Sequence, residues 1–432
     1  MYTVAFATLG CKVSQYETEA VKEAFLSEGF LAVEFTENAD VYVINTCTVT
    51  AESDRKSRQM IRRATRLNPS AVVMVMGCYA QTSADEIVRI SGVSYVCGTN
   101  GKMQLPKKAK ALLAKKEEAP ICAVTTLEGA SFEKMSVYGT PRTRAYLKIE
   151  DGCECRCTYC AIPGARGYVR SKAPEDVLNE IEALVKGGTR EVVLTGIETA
   201  SYGMDLNGYR LIDLLQMLDK KSSVERIRLG SLTPEIMRED FVDRLSLLKK
   251  LVPHFHLSMQ SGSDGVLKRM KRRYNVKMAS DALLRLRARI PHVELTTDMM
   301  VGFPGESDCE FEETLAFTEK ACFLDMHVFA YSRRKNTEAA SYPDQVPESV
   351  KRERSATLIA LAERLRGERL AEVVKRGEPL NVIFETRVGR NWYGHSEAFV
   401  PVSVSSNLSL GGEMRLVKPL SVVDGAVCGE LI

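Results

Sequence analysis

Apolar positions along this chain fall into three successive rhythms. In the first hundred residues, 4–9, 41–45 and 72–76 are short apolar runs of the length expected for buried parallel strands. Segments 14–27 and Ala51–Leu67 carry helical spacing between them. That βαβ alternation predicts an open, doubly wound α/β sheet over residues 1–115. Segment 107–120 is rich in Lys, Ala and Glu and ends in Pro120. It reads as a helix entering a linker, placed at 116–140.

From Arg144 a second rhythm begins. Runs at 145–149, 191–194, 226–229, 255–259, 294–300 and 327–331 are strand-like, and charged helical segments such as Pro174–Lys186 and 280–289 separate them. Six βα units in series predict a partial TIM barrel over 141–372, with its chemistry at the carboxyl ends of the strands. A long charged helix at 349–376 closes this part. The last stretch, 373–432, holds short strands at 380–385, 397–404, 413–417 and Ala426–Leu431 between Gly and Asn turns. It reads as a small antiparallel β-barrel.

Composition narrows the class. The chain has 432 residues, 45% hydrophobic and 27% charged, as in a globular protein. No apolar run of about 18 residues suggests a membrane span. The first residues lack the basic and apolar regions of a secretory signal. The expectation is a cytoplasmic protein with no membrane partner. A net charge of +3 says little about partners. Local basic runs say more. Arg55, Lys56, Arg58, Arg62, Arg63 and Arg66 load one helical segment, and Arg269, Lys271, Arg272 and Arg273 form another. Such runs can bind phosphates in a salt-dependent way, although charged helices are more often solvated faces.

In a reducing compartment, twelve cysteines read as metal or redox ligands before they read as disulfides. Cys153, Cys157 and Cys160 follow the first barrel strand with C-x3-C-x2-C spacing. One loop of that spacing can hold three corners of a 4Fe–4S cube. Electron-transfer clusters normally have four thiolates, so three leave one iron open. An open iron can take the amino and carboxylate groups of S-adenosylmethionine (SAM) and pass an electron to its sulfonium. The alternative is a zinc knuckle that also uses Cys155. A second set, Cys11, Cys47 and Cys78, follows the three N-terminal strands. The carboxyl ends of a parallel sheet share one crevice, so these thiols can converge there. They can equally be three small buried hydrophobes. Cys97 also follows a strand-like run, and spacing does not choose between them.

The signature loop, with Tyr159 before its last cysteine, resembles that of the radical-SAM superfamily. The wider chain resembles the methylthiotransferase family over nearly its whole length. Gly10-Cys11-Lys12-Val13-Ser14-Gln15-Tyr16-Glu17-Thr18-Glu19, Asn45-Thr46-Cys47-Thr48-Val49-Thr50 and Gly77-Cys78-Tyr79-Ala80-Gln81 resemble that family's N-terminal motifs. The segments starting at Asp151, Leu257 and Val301 resemble its radical core, and Tyr393-Gly394-His395-Ser396-Glu397 its RNA-binding TRAM module. The resemblance implies two 4Fe–4S clusters, an auxiliary one on Cys11, Cys47 and Cys78 and a radical one on Cys153, Cys157 and Cys160, and leaves Cys97 to packing. It implies that one SAM methylates a sulfur atom at the auxiliary cluster while a second is cleaved to a 5′-deoxyadenosyl radical. It implies as partners the anticodon stem-loop of tRNA and an electron donor such as flavodoxin or ferredoxin.

The segment after Cys11 is most similar to the branch that acts on threonylcarbamoyladenosine beside the anticodon. Branches acting on isopentenyladenosine or a ribosomal protein remain alternatives, as does a non-catalytic iron–sulfur or zinc RNA-binding protein. Ser14, Glu154-Cys155-Arg156, Ala330 and Asn336 depart from the family pattern. Thr195-Gly196-Ile197-Glu198 ends the second barrel strand, where a small residue admits the methionine part of SAM and a carboxylate can hold its ammonium. An ordinary turn is the plainer reading. Gln260, Asp298 and Gly302 end later strands and are candidate SAM contacts or local hydrogen-bond anchors. His254 and His256 share one strand face and read as packing. Trp392, Tyr393 and His395 are candidate base-stacking residues or barrel core. No catalytic residue is assigned.

Overall fold

The computed structural model describes residues 1–115, 120–139 and 143–432. The N-terminal part runs β1 (Thr3–Thr8), α1 (Lys12–Ser27), β2 (Leu31–Val33), β3 (Val41–Thr46), α2 (Ala51–Leu67), β4 (Val72–Gly77), α3 (Cys78–Thr82), α4 (Ala84–Val88), β5 (Val93–Val96), α5 (Leu105–Ala114) and β6 (Ile121–Cys122). Its six strands are ordered β2-β1-β3-β4-β5-β6, all parallel. The long apolar runs became β1, β3 and β4. The short strands β2 and β6 are too brief to show a pattern, and β5 is the strand-like run before Cys97. β6 lies inside the segment read as a linker and adds to the sheet edge at Tyr95 and Val96. Residues 116–119 and 140 of that segment lie outside the described residues.

Local sequence explains α2 well. Thr50 caps it by accepting from the Ser53 N–H, Glu52 and Asp54 sit in the first turn, and Arg66 in the last. That placement matches the helix dipole. Ser57, Ile61 and Ala64 form its buried stripe, and its basic residues Arg55, Lys56, Arg62, Arg63 and Arg66 stay exposed.

The central part starts at β7 (Arg144–Lys148). A short hairpin of β8 (Glu150–Asp151) and β9 (Arg170–Ser171) encloses α6 (Ile162–Arg166). Then follow α7 (Pro174–Lys186), β10 (Glu191–Thr195), α8 (Leu211–Lys221), β11 (Arg226–Leu229), β12 (Ser231–Leu232), α9 (Glu239–Ser246), β13 (His254–Gln260), α10 (Asp264–Arg269), α11 (Val276–Arg289), β14 (Glu294–Val301), α12 (Asp308–Ala321), β15 (Asp325–Ala330) and α13 (Glu348–Arg376). The parallel order is β7-β10-β11, continued as β12-β13-β14-β15. Gly230 alone separates β11 from β12, so together they are one bent third strand of a six-unit partial barrel. One hydrophobic core includes Tyr16 and Ala20 of α1 with Leu147, Leu194 and Leu257 of the barrel. The helix α1 therefore serves both the sheet and the barrel.

The last part is β16 (Leu380–Val388), β17 (Asn391–Ser396), β18 (Pro401–Ser405), β19 (Met414–Val423) and β20 (Ala426–Leu431), closed in the order β16-β17-β18-β20-β19. The pairs are antiparallel except β18 with β20, which run parallel. The strand expected at 397–404 begins only at Pro401, because 397–400 form the turn that follows β17. That turn places Phe399, with φ 67°, between the rings of His254 and His395 at 4.7 and 4.6 Å. The guanidinium groups of Arg144 and Arg228 lie 5.2 and 5.1 Å from the same ring. Arg144 and His254 begin their strands, so the small barrel is docked at the amino ends of the larger one. Trp392 is buried and donates to the Leu408 carbonyl at 2.8 Å, and His395 bonds Glu385 at 2.6 Å. Of the three candidate stacking residues, Tyr393 is the one left facing solvent.

Candidate cluster and cofactor sites

Strand order places the N-terminal thiols. The chain leaves β1 toward β2 on one side and returns to β3 on the other, so the crevice lies between β1 and β3. Cys11 precedes α1 there, Cys47 follows β3, and Cys78 follows β4. A Cβ on Gly10 would sit 3.3 Å from the Cys47 Cβ, which shows how closely these loops approach. Cys47 and Cys78 are buried, and Cys11 is exposed. Burial pushes the Cys78 thiol up to about 11, and the neighbouring Cys47 and Cys11 add to it against the pull of Arg166. Burial likewise raises Cys47. Cys97 sits elsewhere, in the apolar core with Val4, Tyr95, Leu105 and Leu112.

The signature loop is anchored at several points. Gly152, with φ 101°, leaves no room for a Cβ against the Tyr168 carbonyl. The Cys153 N–H donates to Gly167 O at 3.0 Å, and the Thr158 N–H and hydroxyl donate to Met270 O and Arg269 O at 3.2 and 3.0 Å. Tyr159 packs against a cluster that holds Val266, Met270 and Phe303. Arg272 donates to the Cys157 sulfur at 3.1 Å and Arg273 to the Glu154 carbonyl at 3.0 Å. Arg269 pairs with Glu310 at 2.8 Å and Lys271 with Glu338 at 2.5 Å. The second basic run therefore braces this loop and its surroundings. Burial raises the Cys160 thiol to about 12. The Cys153 and Cys155 sulfurs and a Glu198 carboxylate oxygen lie within 4.8 Å of one another. Cys155 is held low, to about 7, by the hydrogen bond from Cys153.

The candidate SAM residues divide in two. Thr195, Gly196 and Glu198 lie at the carboxyl end of β10. Glu150 fills the space a Gly196 side chain would need, with its Oε2 2.5 Å from an added Cβ, and accepts from the Glu198 N–H at 2.8 Å. Among the described residues, Glu150 Oε1, Glu198 Oε1 and Gln260 Oε1 are buried without a hydrogen-bond partner. Burial, and then Cys155, raise the Glu198 carboxyl to about 8. A cavity of about 680 Å³ opens beside it, lined by Cys155, Glu198, Ser201, Thr233, Glu235 and Arg273. Asp298 and Gly302 are engaged within the fold. Asp298 bridges His256 at 3.1 Å and His327 at 3.4 Å, and these hydrogen bonds outweigh burial and hold its carboxyl well below the usual range. The Gly302 N–H donates to Glu306 at 2.7 Å, and a Cβ there would run into the Lys351 side chain. Asn336, where Gly is usual, has φ 64°, a conformation Asn tolerates better than other side chains.

The donor sets fit clusters and SAM. Buried thiols with raised pKa values carry no thiolate charge by themselves, and a bound cluster supplies the compensating charge. Arginine N–H groups already point at one sulfur of each trio. The unpartnered Glu198 oxygen beside a glycine suits an ammonium group.

Sequence reasoning missed the joint between the two sites. Glu17 of α1, wholly buried, pairs with Arg166 at 2.6 Å, Lys148 at 2.7 Å and Lys102 at 3.3 Å. Asp151 pairs with Lys148 at 2.5 Å and with Arg166 at 3.3 Å. Tyr16 donates to Glu180 at 2.9 Å. Much of the segment after Cys11 that carries the substrate resemblance is thus domain joint. Lys12 is different: it is accessible, and it lies in the field of Arg228, Arg144 and Asp298 inside the barrel. The only sequence signal for Arg166 was a lone cation in the small-residue stretch after Cys160.

The chain matches the model of the radical SAM superfamily over residues 147–318 and that of the uncharacterized protein family UPF0004 over residues 3–98. It is 42% identical over 428 residues to the threonylcarbamoyladenosine tRNA methylthiotransferase MtaB of Bacillus subtilis, covering 97% of this chain and 94% of that protein. The MtaB protein of Aquifex aeolicus is 38% identical, with 84% of this chain and 89% of that protein covered. The tRNA-2-methylthio-N(6)-dimethylallyladenosine synthase of Clostridium botulinum is 31% identical, with 94% and 95% covered. Among solved structures, the radical S-adenosylmethionine methyltransferase TsrM of Kitasatospora setae shares the fold, with a TM-score of 0.58, 17% identity, and 78% of this chain and 77% of that one covered. With a relative 42% identical over 97% of its length, the chain belongs to the radical-SAM methylthiotransferase family.

Proposed function

We propose that this enzyme converts threonylcarbamoyladenosine beside the anticodon of tRNA to its 2-methylthio derivative, with SAM as both methyl donor and radical source. The observation that carries the reading is the pairing of two three-cysteine sites across one joint, with Arg166 reaching from the segment after Cys160 to Cys78. Residues 1–115 would supply the auxiliary 4Fe–4S cluster on Cys11, Cys47 and Cys78. Residues 141–372 would hold the second on Cys153, Cys157 and Cys160, and residues 373–432 would grip RNA. When bound, these groups supply the electron, the radical and the sulfur. The chain's own part is to hold and orient. Glu198 would hold the SAM ammonium, with Tyr159, Thr195, Gly196 and Gln260 shaping its site, and the exposed α2 arginines would meet phosphates. Asp298 and Gly302, on and just after β14, would be further SAM contacts. The relatives' names and the segment after Cys11 favour this substrate. The setting is cytoplasmic, with a flavodoxin or ferredoxin as electron source.

No helix among the described residues is long and apolar enough to cross a membrane. Mass spectrometry of tRNA nucleosides tests the substrate. Deleting the gene should abolish 2-methylthio-threonylcarbamoyladenosine, and expressing it in a host lacking that nucleoside should create it. Loss of the dimethylallyl counterpart instead would move the enzyme to the other branch.

A further inference from the structure

Each cysteine trio has one arginine on one of its sulfurs. Arg272 serves Cys157, and Arg166 serves Cys78, with its Nε 3.1 Å from the sulfur. Arg166 is the more constrained of the two. It is wholly buried, its other nitrogens hold Glu17 at 2.6 and 3.1 Å, and Asp151 lies 3.3 Å away. Its own segment is pinned to both sides. The Thr99 hydroxyl donates to Ala165 O at 2.9 Å, and the Cys153 N–H donates to Gly167 O at 3.0 Å.

The charges around Arg166 do not cancel. Lys102, Lys148, Arg166 and Arg170 face Glu17, Asp151 and Glu133. These contacts set four cations against three carboxylates beside the buried Cys78 thiol. Here the Cys78 thiol stands in for a cluster-bound thiolate. Ion pairing with Glu17 does not explain why the guanidinium aims its Nε at sulfur. Lysine would meet a carboxylate as well, but it offers no second, fixed N–H direction.

We propose that Arg166 is a positioning residue for the auxiliary cluster, holding the Cys78 sulfur by a directed N–H···S bond and raising the reduction potential of that cluster selectively. The inference rests on the assignment of Cys11, Cys47 and Cys78 as cluster ligands. Its physical basis is that reduction adds negative charge to a cluster, and N–H donors to sulfur favour the reduced form.

The test uses the full chain, reconstituted anaerobically, in two backgrounds. Replacing Cys153, Cys157 and Cys160 with Ala leaves the auxiliary cluster alone, and replacing Cys11, Cys47 and Cys78 with Ala leaves the radical cluster alone. Midpoint potentials come from redox titration followed by electron paramagnetic resonance. In the first background, Arg166→Gln should move the reduced-to-oxidised ratio about tenfold toward oxidised, about 59 mV for one electron. Arg166→Lys keeps the charge and should fall between Gln and the native residue. In the second background neither change should move the potential. Equal potentials for Arg, Lys and Gln in the first background, or equal shifts in both, overturn the inference. Loss of the cluster from both variants in the first background only supports the hold on Cys78. Loss in both backgrounds is a folding effect and overturns the selectivity. If the first background binds no four-iron cluster with Arg166 intact, the ligand assignment itself has failed, and the inference falls with it.

Discussion

Cys153, Cys157 and Cys160 lie within eight residues of one loop, whereas Cys11, Cys47 and Cys78 come from three strand ends spread over 68 residues. The first trio is a local device. Its spacing is set by chain geometry, and the barrel adds anchors such as Thr158 and Tyr159. The second trio exists only when β1, β3 and β4 pair in register, because each thiol rides on the end of a different strand. The two also differ in their sequence signal. A three-cysteine loop can be read directly, but three scattered cysteines look like core residues until the sheet order is known.

Replacing a trio should give the largest effects and separate the two roles. Any of Cys153→Ala, Cys157→Ala or Cys160→Ala should remove about four irons and abolish 5′-deoxyadenosine formation from SAM under a strong reductant. Cys11→Ala, Cys47→Ala or Cys78→Ala should also remove about four irons but keep SAM cleavage, while methylthio transfer is lost. Cys97→Ala should retain both clusters. Iron analysis and product chromatography read all three, and loss of iron in Cys97→Ala would redraw the second trio.

Next in size is the joint. Glu17→Ala leaves Lys102, Lys148 and Arg166 buried around a missing carboxylate. Removing one partner of a buried ion pair costs roughly 3–5 kcal/mol. In urea, the variant should release the auxiliary irons before the radical irons. Simultaneous release would mean that the second trio depends on tertiary structure no more than the first.

A smaller contrast comes from two glycines. Gly77 has φ 102°, and a Cβ there would lie 2.5 Å from the Thr46 carbonyl, just before Cys78. Gly77→Ala should cost about 1–3 kcal/mol in backbone strain and lower auxiliary iron occupancy. Gly164, four residues after Cys160, has open space around its Cβ position. Gly164→Ala should change neither stability nor iron. Thermal melts with iron counts compare the two.

The smallest effect lies on β15. The hydrogen bond to Asp298 raises the His327 pKa above its ordinary 6.5. A raised histidine stabilises the fold below its unfolded pKa, and that contribution fades as pH rises through the folded one. The His327 ring is largely exposed, so the effect should stay under about 1 kcal/mol. Stability of the native chain should therefore drop slightly more between pH 6 and 8 than that of His327→Gln. Parallel pH profiles would exclude this pair as a contributor.

Much of the architecture was legible because long elements announce themselves. Ala51–Leu67 and Pro174–Lys186 have the bounds their patterns suggest. The misses were short or structurally decided. β2 and β6 have three and two residues. β17 was hidden because Trp392, Tyr393 and His395 looked functional, yet two of them are held inside the fold. At the candidate sites, cysteine spacing and the residues after β10 could be read from the chain. Glu17 could be noticed only as part of a motif.

The sequence alone determined what can be written within a few residues: the C-x3-C-x2-C loop, the glycine before the Glu198 carboxylate, the caps of α2 and the three-part rhythm of the chain. Periodicity and spacing are local, so no fold is needed to see them. Tertiary structure decided which distant thiols meet, that α1 turns Tyr16 and Glu17 into a domain joint, and that Arg166 touches Cys78. A buried charge is tolerated only beside its partners, and those partners lie 149 and 88 residues away in the chain.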